Sequence, residues 1–478
     1  MKIAMIASEA RPFCKTGGLA DVVYSLSKEL TVMGKEVMVI MPFYQSIKDT
    51  IKVPVKFVDS FFVNMSWRQH EAKIYLTYAD GITYYFIEHW YFDRSRIYGD
   101  GDDGERFAFF ALAAREFLSR QKKVPDIVHV HDWQAAMLPC LIKEDWYYRE
   151  KFAETRFVLT IHNPAFQGML SRDALGNLFN LPESLFDYGK VRLDDHVSTL
   201  KAGIVYSDKI TTVSPNHHQE LLTPEGGMHL DGDLNLREWD FCGFLNGIDY
   251  LEFNPENDPY IPFSYNETNF EENKKKDHDE LLKELHINDY GQPLFSIVSR
   301  LTWQKGLDIL FPTIEELANR GCNIVVLGSG ERQYELELER LRSMYPDKIA
   351  IYIGYNDALA HRIYAASDFF MMPSLFEPCG LGQMIAQRYG TLPIVRRTGG
   401  LKDSVINYDG GNEKIANGFG FDNYSSDDMK YTSIYAFDAW HNKSLTKRLV
   451  KNALKTDNSW ARSAKNYYGL YLELVNRK

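Results

Sequence analysis

The feature that most restricts this chain's fold is a cycle repeated along its length: a short apolar run, a polar or glycine-containing turn, then a helical stretch. In the first half the runs fall at 3–7, 36–41, 126–130, 157–161 and 209–213. In the second they fall at 294–298, 323–327, 349–353, 369–372 and 392–395. Continuous rather than alternating apolar runs mark parallel strands buried on both faces, with the intervening helices as crossovers. Two such series predict an α/β chain of two doubly wound, Rossmann-like domains. The length agrees, because 478 residues exceed what one core normally serves. Asn254-Pro255, Pro259 and Pro262 interrupt regular structure and set the boundary within 246–262. The stretch 266–284, with its Lys274-Lys275-Lys276 run, reads as a solvated helical face. A last helix, starting near Asp457 or Ser459, puts Trp460, Ala464, Tyr467, Tyr468 and Tyr471 on one side, as a packing helix would.

Composition then removes several function classes. At 45% hydrophobic and 25% charged residues the chain is an ordinary globular one, not a disordered one. Its net charge of −11 argues against a nucleic-acid partner, since phosphate contacts need clustered Lys and Arg. Cys14, Cys140, Cys242, Cys322 and Cys379 are scattered and include no Cys-x-x-Cys pair. Neither a disulfide framework nor a zinc site is expected, and a reducing cytoplasm is the expected location. The first apolar run is too short for a signal peptide, and none approaches the ~20 residues of a membrane span. No membrane partner is expected.

In doubly wound sheets, ligands gather at the carboxyl ends of the strands, and this chain puts unusual polar residues there. Lys15-Thr16-Gly17-Gly18-Leu19-Ala20-Asp21 is a glycine loop opening a helix. Its backbone N–H groups, the helix N-terminus and Lys15 all favour an anion, although a tight structural turn accounts for it equally well alone. His131-Asp132-Trp133 and His162-Asn163 end two further runs, and a histidine such as His162 is ordinarily a hydrogen-bonded structural one. In the second half Ser299-Arg300 leads to Lys305-Gly306, two cations suited to a diphosphate leaving group without a metal. Glu377, in Phe376-Glu377-Pro378-Cys379-Gly380-Leu381-Gly382-Gln383, is a carboxylate expected in a rigid, exposed turn. It suits the role of nucleophile, base, sugar ligand or partner to an oxocarbenium ion. Thr398-Gly399-Gly400-Leu401 is a second Gly-Gly turn and a candidate phosphate cradle. Asp100-Gly101-Asp102-Asp103 and Asp231-Gly232-Asp233 imitate Asp-x-Asp metal sites, but their Gly-rich settings read as solvated loops, and no metal or other cofactor is expected.

Taken in order, these motifs, together with Asn246-Gly247-Ile248-Asp249, resemble bacterial glycogen synthases and plant starch synthases over nearly the whole chain. The resemblance implies a GT-B fold of two Rossmann-like domains facing across a cleft. It implies an acceptor-side domain over 1–245, a nucleotide-sugar-binding domain over 246–456, and a helix over 457–478 returning to the first domain. It also implies metal-free, retaining transfer of glucose from ADP-glucose to the nonreducing end of an α-1,4-glucan, the partners being that donor and glycogen. By similarity Lys15, Gly17, Gly18, Arg300 and Lys305 meet the diphosphate. Asp21, Asn246 and Tyr355 meet the adenosine half, with the Tyr355 ring against the base. Glu377, Cys379, Gly380, Leu381, Thr398 and Gly399 surround the glucosyl phosphate, and His162, Asn163 and Asp132 line the sugar and acceptor side. Glu377, His162, Arg300 and Lys305 form the expected catalytic set. Thr16 and Ala20 stand where many relatives have Val and Gly, and Gly382 stands where Thr is common.

Three other readings compete. A related GT-B transferase would use UDP-glucose or a small acceptor. A nicotinamide dehydrogenase shares the strand pattern but needs a Gly-x-Gly-x-x-Gly fingerprint, of which Gly328-Ser329-Gly330 is only a fragment. A non-catalytic glycan-binding protein would have no use for both cations and Glu377.

Overall fold

The structure is a computed structural model that describes residues 1–476. The chain divides into two compact units: 1–244 with 463–478, and 245–462. The first is built on nine strands: β1 (Lys2–Ile6), β2 (Glu36–Pro42), β3 (Lys56–Met65), β4 (Arg68–Ala79), β5 (Ile82–Glu88), β6 (Ile127–His131), β7 (Arg156–Ile161), β8 (Lys209–Thr212) and β9 (Phe241–Gly243). They lie in the order β9-β8-β7-β6-β1-β2-β5-β4-β3. From β9 to β5 every pair is parallel, with Ile3 opposite both Val37 and Ile127. β1 sits mid-sheet, and Ile3, Ala4, Met5 and Ile6 are all fully buried, which is why that run is uninterrupted. β3 and β4 are antiparallel additions at one edge. Their outward residues include exposed Phe57, Phe62 and Tyr78, so their sequences alternate instead of forming apolar runs.

The second unit has six parallel strands: β10 (Leu294–Val298), β11 (Asn323–Gly328), β12 (Ile349–Ile353), β13 (Phe369–Met372), β14 (Leu392–Arg396) and β15 (Phe419–Phe421). Their order is β12-β11-β10-β13-β14-β15, and order reverses direction between β10 and β13. That reversal is the switch point at which such sheets bind ligands, beyond the strands' carboxyl ends.

The helices that carry the argument are α1 (Gly18–Val32), α2 (Asp103–Ser119), α3 (Asp132–Ala136), α4 (Phe270–Glu284), α5 (Gly382–Arg388), α6 (Gly399–Ser404), α7 (Ser426–His441), α8 (Lys443–Lys455) and α9 (Trp460–Asn476). α9 buries Tyr467, Leu470, Tyr471 and Leu474, and its Tyr471 hydroxyl bonds His129 of β6 at 2.7 Å. The last segment of chain is therefore a core element of the first unit. The connection from Gly243 to Phe270 has no helix or strand but is pinned by Asp258, whose buried carboxylate meets the His361 imidazole at 2.7 Å and the Tyr389 hydroxyl.

Three readings of polar segments need correction. Lys274 is not solvated: its ammonium donates to the carbonyls of Ala365 (2.7 Å) and Tyr389 (3.0 Å) and to Thr391 Oγ1 (3.0 Å). Burial lowers its pKa to about 8. Asp100, Asp102 and Asp103 converge, but Arg94 pairs with Asp102 and the fully buried Arg106 with Asp103 at 2.6 Å, so arginines hold these acids instead of solvent. Asp231 and Asp233 lie in a six-residue helix, not a loop, and Asp233 pairs with Lys201 at 2.9 Å.

Candidate active site

In the first unit the chain leaves β1 through Ser8-Glu9-Ala10-Arg11 and re-enters structure at α1 through the glycine loop. Gly17 caps α1 with extended backbone and no side-chain cap, so the helix's first N–H groups have no side-chain acceptor at that position. A Cβ on Gly18 would meet nothing within 4 Å. The protein's own packing therefore does not require glycine there. Lys15 is tied to Asp21 at 2.8 Å, and Arg11 reaches the same carboxylate at 3.2 Å. Beneath the loop lies Glu9, 3% exposed, accepting from the Thr16 N–H at 2.5 Å, the Thr16 hydroxyl at 2.9 Å and the Gly17 N–H. Burial raises the Glu9 pKa against those hydrogen bonds. Sequence reasoning missed Glu9, although an acid directly after the first buried strand was the available signal.

Asp132 begins α3 with a left-handed backbone (φ 54°) and is buried. Its carboxylate accepts the His162 N–H at 2.7 Å and that of Asn163, clamping the turn after β7. Burial lifts its pKa to about 7. His162 Nε2 meets His131 Nδ1 at 3.0 Å, and burial pulls the His162 pKa to about 3, so its imidazole is neutral at physiological pH. Asn163 turns back to accept the Ala165 N–H at 3.0 Å. These three residues share one rim with the glycine loop, at the carboxyl ends of β1, β6 and β7.

In the second unit Arg300 follows β10, exposed, with no carboxylate partner among the described residues. Lys305 is different. Its ammonium is largely buried and lies 2.5 Å from Glu377 Oε2, an oxygen that also accepts from Ser374 Oγ at 3.0 Å. Glu377 follows β13 and is 8% exposed, not in the exposed turn its Pro and Gly neighbours imply. The strand reversal brings β10 beside β13, and hence Lys305 to Glu377 across 72 residues.

The turn holding Glu377 is fixed from three sides. Gly400 donates its N–H to the carbonyls of Glu377 and Pro378, both at 3.1 Å, and a Cβ on Gly399 would lie 2.0 Å from the Glu377 carbonyl. The Thr398-Gly399-Gly400 turn thus braces the Glu377 backbone. Arg396 donates to the Leu375 carbonyl at 2.5 Å and Gln304 to that of Phe376 at 3.1 Å. Gln383 donates to the carbonyls of Cys379 and Gly380, both at 3.0 Å, and Gly380 has the positive φ (73°) that suits glycine. Leu381 caps α5, only partly buried. A Cβ on Gly382 would come within 2.9 Å of the Phe370 ring, which explains why no threonine stands there. The buried Cys379 thiol, its pKa pushed up to about 12 by burial, adjoins Asn246. Asn246 thus sits beside Cys379, while Tyr355 projects from the turn after β12, 86% exposed, its hydroxyl 3.2 Å from Asp357.

A family model described as the starch synthase catalytic domain matches residues 2–236, and one for glycosyl transferases group 1 matches 278–456. The chain is 44% identical to a glycogen synthase of Clostridium kluyveri, covering 99% of this chain and 100% of that one. It is 42% identical to a glycogen synthase of Streptococcus uberis, covering 99% of each. The catalytic domain of starch synthase IV from Arabidopsis thaliana, solved with ADP and acarbose, matches at a TM-score of 0.90 and 34% identity, covering 100% of this chain and 99% of that one. Fold and site together define a GT-B glycosyltransferase. Within that class, the chain belongs to the glycogen synthase and starch synthase family.

Proposed function

We propose that this chain transfers glucose from ADP-glucose to the nonreducing end of an α-1,4-glucan with retention, releasing ADP. The observation that carries the reading is the buried Glu377–Lys305 pair at the switch point, with Arg300 after β10 in no ion pair among the described residues, in a chain that matches glycogen synthases end to end. Arg300 and Lys305 neutralise the diphosphate as its bond to the anomeric carbon breaks. When Lys305 turns toward phosphate, the Glu377 carboxylate is left to stabilise positive charge on the glucosyl ring. The acceptor's 4-hydroxyl oxygen bonds the anomeric carbon from the face that the diphosphate leaves, and its proton departs with the diphosphate. The neutral His162 and the adjoining Asn163 offer hydrogen bonds to sugar hydroxyls, and Tyr355 offers a ring to the base. The glycine loop and Lys15 serve the donor's diphosphate, and Asp21 its adenosine half.

The test is incubation with ADP-glucose or UDP-glucose plus glycogen, following release of nucleoside diphosphate. Glucan-dependent release with the higher kcat/KM for ADP-glucose is expected, and a preference for UDP-glucose overturns the donor assignment. Because two cations already serve the diphosphate, excess EDTA should leave the rate nearly unchanged. Activity lost to EDTA and restored by Mg²⁺ or Mn²⁺ would refute metal independence.

A further inference from the structure

The second unit contains a cleft of about 390 Å³ that the proposed reaction does not use. It lies between α4 on one side and α7 and α8 on the other, and its floor is the chain leading into β10, β13 and β14. That is the amino-terminal end of the sheet, opposite the rim that bears Arg300 and Glu377. Its size suits a small molecule, and its walls combine apolar surface with a few polar groups, as ligand sites do.

Those polar groups define a chemistry. Lys443, the first residue of α8, has no carboxylate within ion-pairing distance among the described residues, and its ammonium lies 3.0 Å from the centre of the Trp440 ring. Asp368 is nearby, but its two oxygens are taken by the Leu294 N–H and the Trp440 Nε1–H, each at 2.9 Å. The other cations of the cleft are already engaged: Lys447 with Glu271, Lys275 with Asp279 and Asp289, and Lys274 with backbone carbonyls. One further group lacks a partner: the buried Gln292 Oε1 has no donor. His278 also lines the cleft, beside Asp289.

Lys443 is exposed and in no ion pair among the described residues, so its ammonium is free to turn to an anion. An orphaned amide oxygen asks for a hydroxyl donor, because a buried acceptor left unmet costs its full desolvation. An indole face, uncovered once the ammonium swings to the anion, accepts the C–H face of a sugar ring. We propose that this cleft is a second site, for a phosphorylated sugar. The phosphate lies on Lys443, a ring hydroxyl donates to Gln292, another meets His278, and the ring stacks on Trp440. A metal ion among His278, Asp279 and Asp289 is the competing occupant, but the Lys275 ammonium already bridges those two carboxylates at 2.7 and 2.8 Å.

The experiment is calorimetric titration of the full chain with glucose 1-phosphate, inorganic phosphate and glucose, repeated on K443M and Q292L. Glucose 1-phosphate should bind with one-to-one stoichiometry at this cleft, more tightly than phosphate or glucose alone. K443M should weaken it about tenfold, as loss of one charge-assisted hydrogen bond does. Q292L should weaken glucose 1-phosphate about fivefold and leave inorganic phosphate unchanged. Lys443 and Gln292 are remote from Glu377, so both variants should keep wild-type ADP-glucose turnover, which also shows that they fold. Glucose 1-phosphate affinity unmoved by either variant, or no binding at all, overturns the proposal. Equal affinity for phosphate and glucose 1-phosphate overturns the sugar half of it.

Discussion

Glu377 is held by Lys305 and Ser374, so its replacement tests charge and packing together. Glu377→Gln keeps the size and the Ser374 contact and removes the charge. If the carboxylate acts on the glucosyl ring as charge develops, kcat should fall by roughly two to four orders of magnitude, with a much smaller change in donor KM. The freed Lys305 is largely buried, so the thermal midpoint should fall as well. A lowered midpoint with near-normal kcat would leave Glu377 only a structural role. Glu9 calls for a different signature. Both hydrogen-bond donors of Thr16 converge on its Oε2, and Gly17 adds a third donor to the carboxylate. Glu9→Gln turns an N–H₂ toward donors and loosens the loop without touching the second unit. Donor KM should rise about tenfold, the scale of one charge-assisted hydrogen bond, with little change in kcat. An unchanged KM would mean that the loop's conformation is set elsewhere.

Along β6 and just after β7, the buried His129 and His131 and the half-buried His162 form a ladder of rings, with centres 4.2 Å and 5.3 Å apart. Burial lowers the pKa of His129 and His162 to about 3 and that of His131 well below its usual value. Unfolded histidines titrate near 6.5, so below that pH the unfolded chain binds three protons that the folded ladder refuses. Stability from the ladder is present above pH 6.5 and is lost as pH falls toward 3. Asp132, raised to about 7, acts in the opposite sense: its folded carboxyl keeps a proton down to the unfolded pKa near 4. The net difference between roughly pH 4 and 6.5 is three protons less one. These four groups together should contribute a fall of about 2.7 kcal/mol per pH unit to the unfolding free energy in the acid part of that window, as denaturant titrations measure it. His162→Asn should reduce the slope by about one proton, and an unchanged slope would mean that His162 is protonated in the folded chain. Such elements differ in how visible they are in the sequence. Most of the parallel strands announce themselves because both faces are buried and their runs are largely apolar, the few polar members such as His129, Thr160 and Thr211 being bonded to one another. β3 and β4 do not, since one face is solvated and Phe57 and Phe62 look outward. Glu377, Lys305 and the glycine turns are legible as motifs. Their pairing is not, because it depends on β10 and β13 being neighbours. Lys274 was misread because three consecutive lysines look alike, and only the fold decides which one turns inward to capture three oxygens.

On the scale of the whole molecule, the first unit is made from two stretches of chain separated by the entire second unit. Chain contiguity therefore misleads about which residues stabilise it. Tyr467 and Tyr471 of α9 are fully buried against the unit's sheet, and the Tyr471 hydroxyl satisfies His129 Nδ1 at 2.7 Å while Thr160 satisfies Nε2 at 2.6 Å. Thr160 in turn meets Thr211 of β8 at 2.6 Å, so one hydroxyl on the last helix completes a polar chain through β6, β7 and β8. Such a chain is costly when one member is missing, because the remaining buried groups cannot reach water. Tyr471→Phe keeps the ring and its packing and removes only that hydroxyl, leaving the His129 nitrogen unmet at a cost of about 1–3 kcal/mol. Hydrogen exchange should speed up in β6, β7 and β8, with rates in β10 and β11 unchanged, since those strands belong to the other unit. Exchange altered equally in both units, or in neither, would mean that α9 does not stabilise the first unit through this bond.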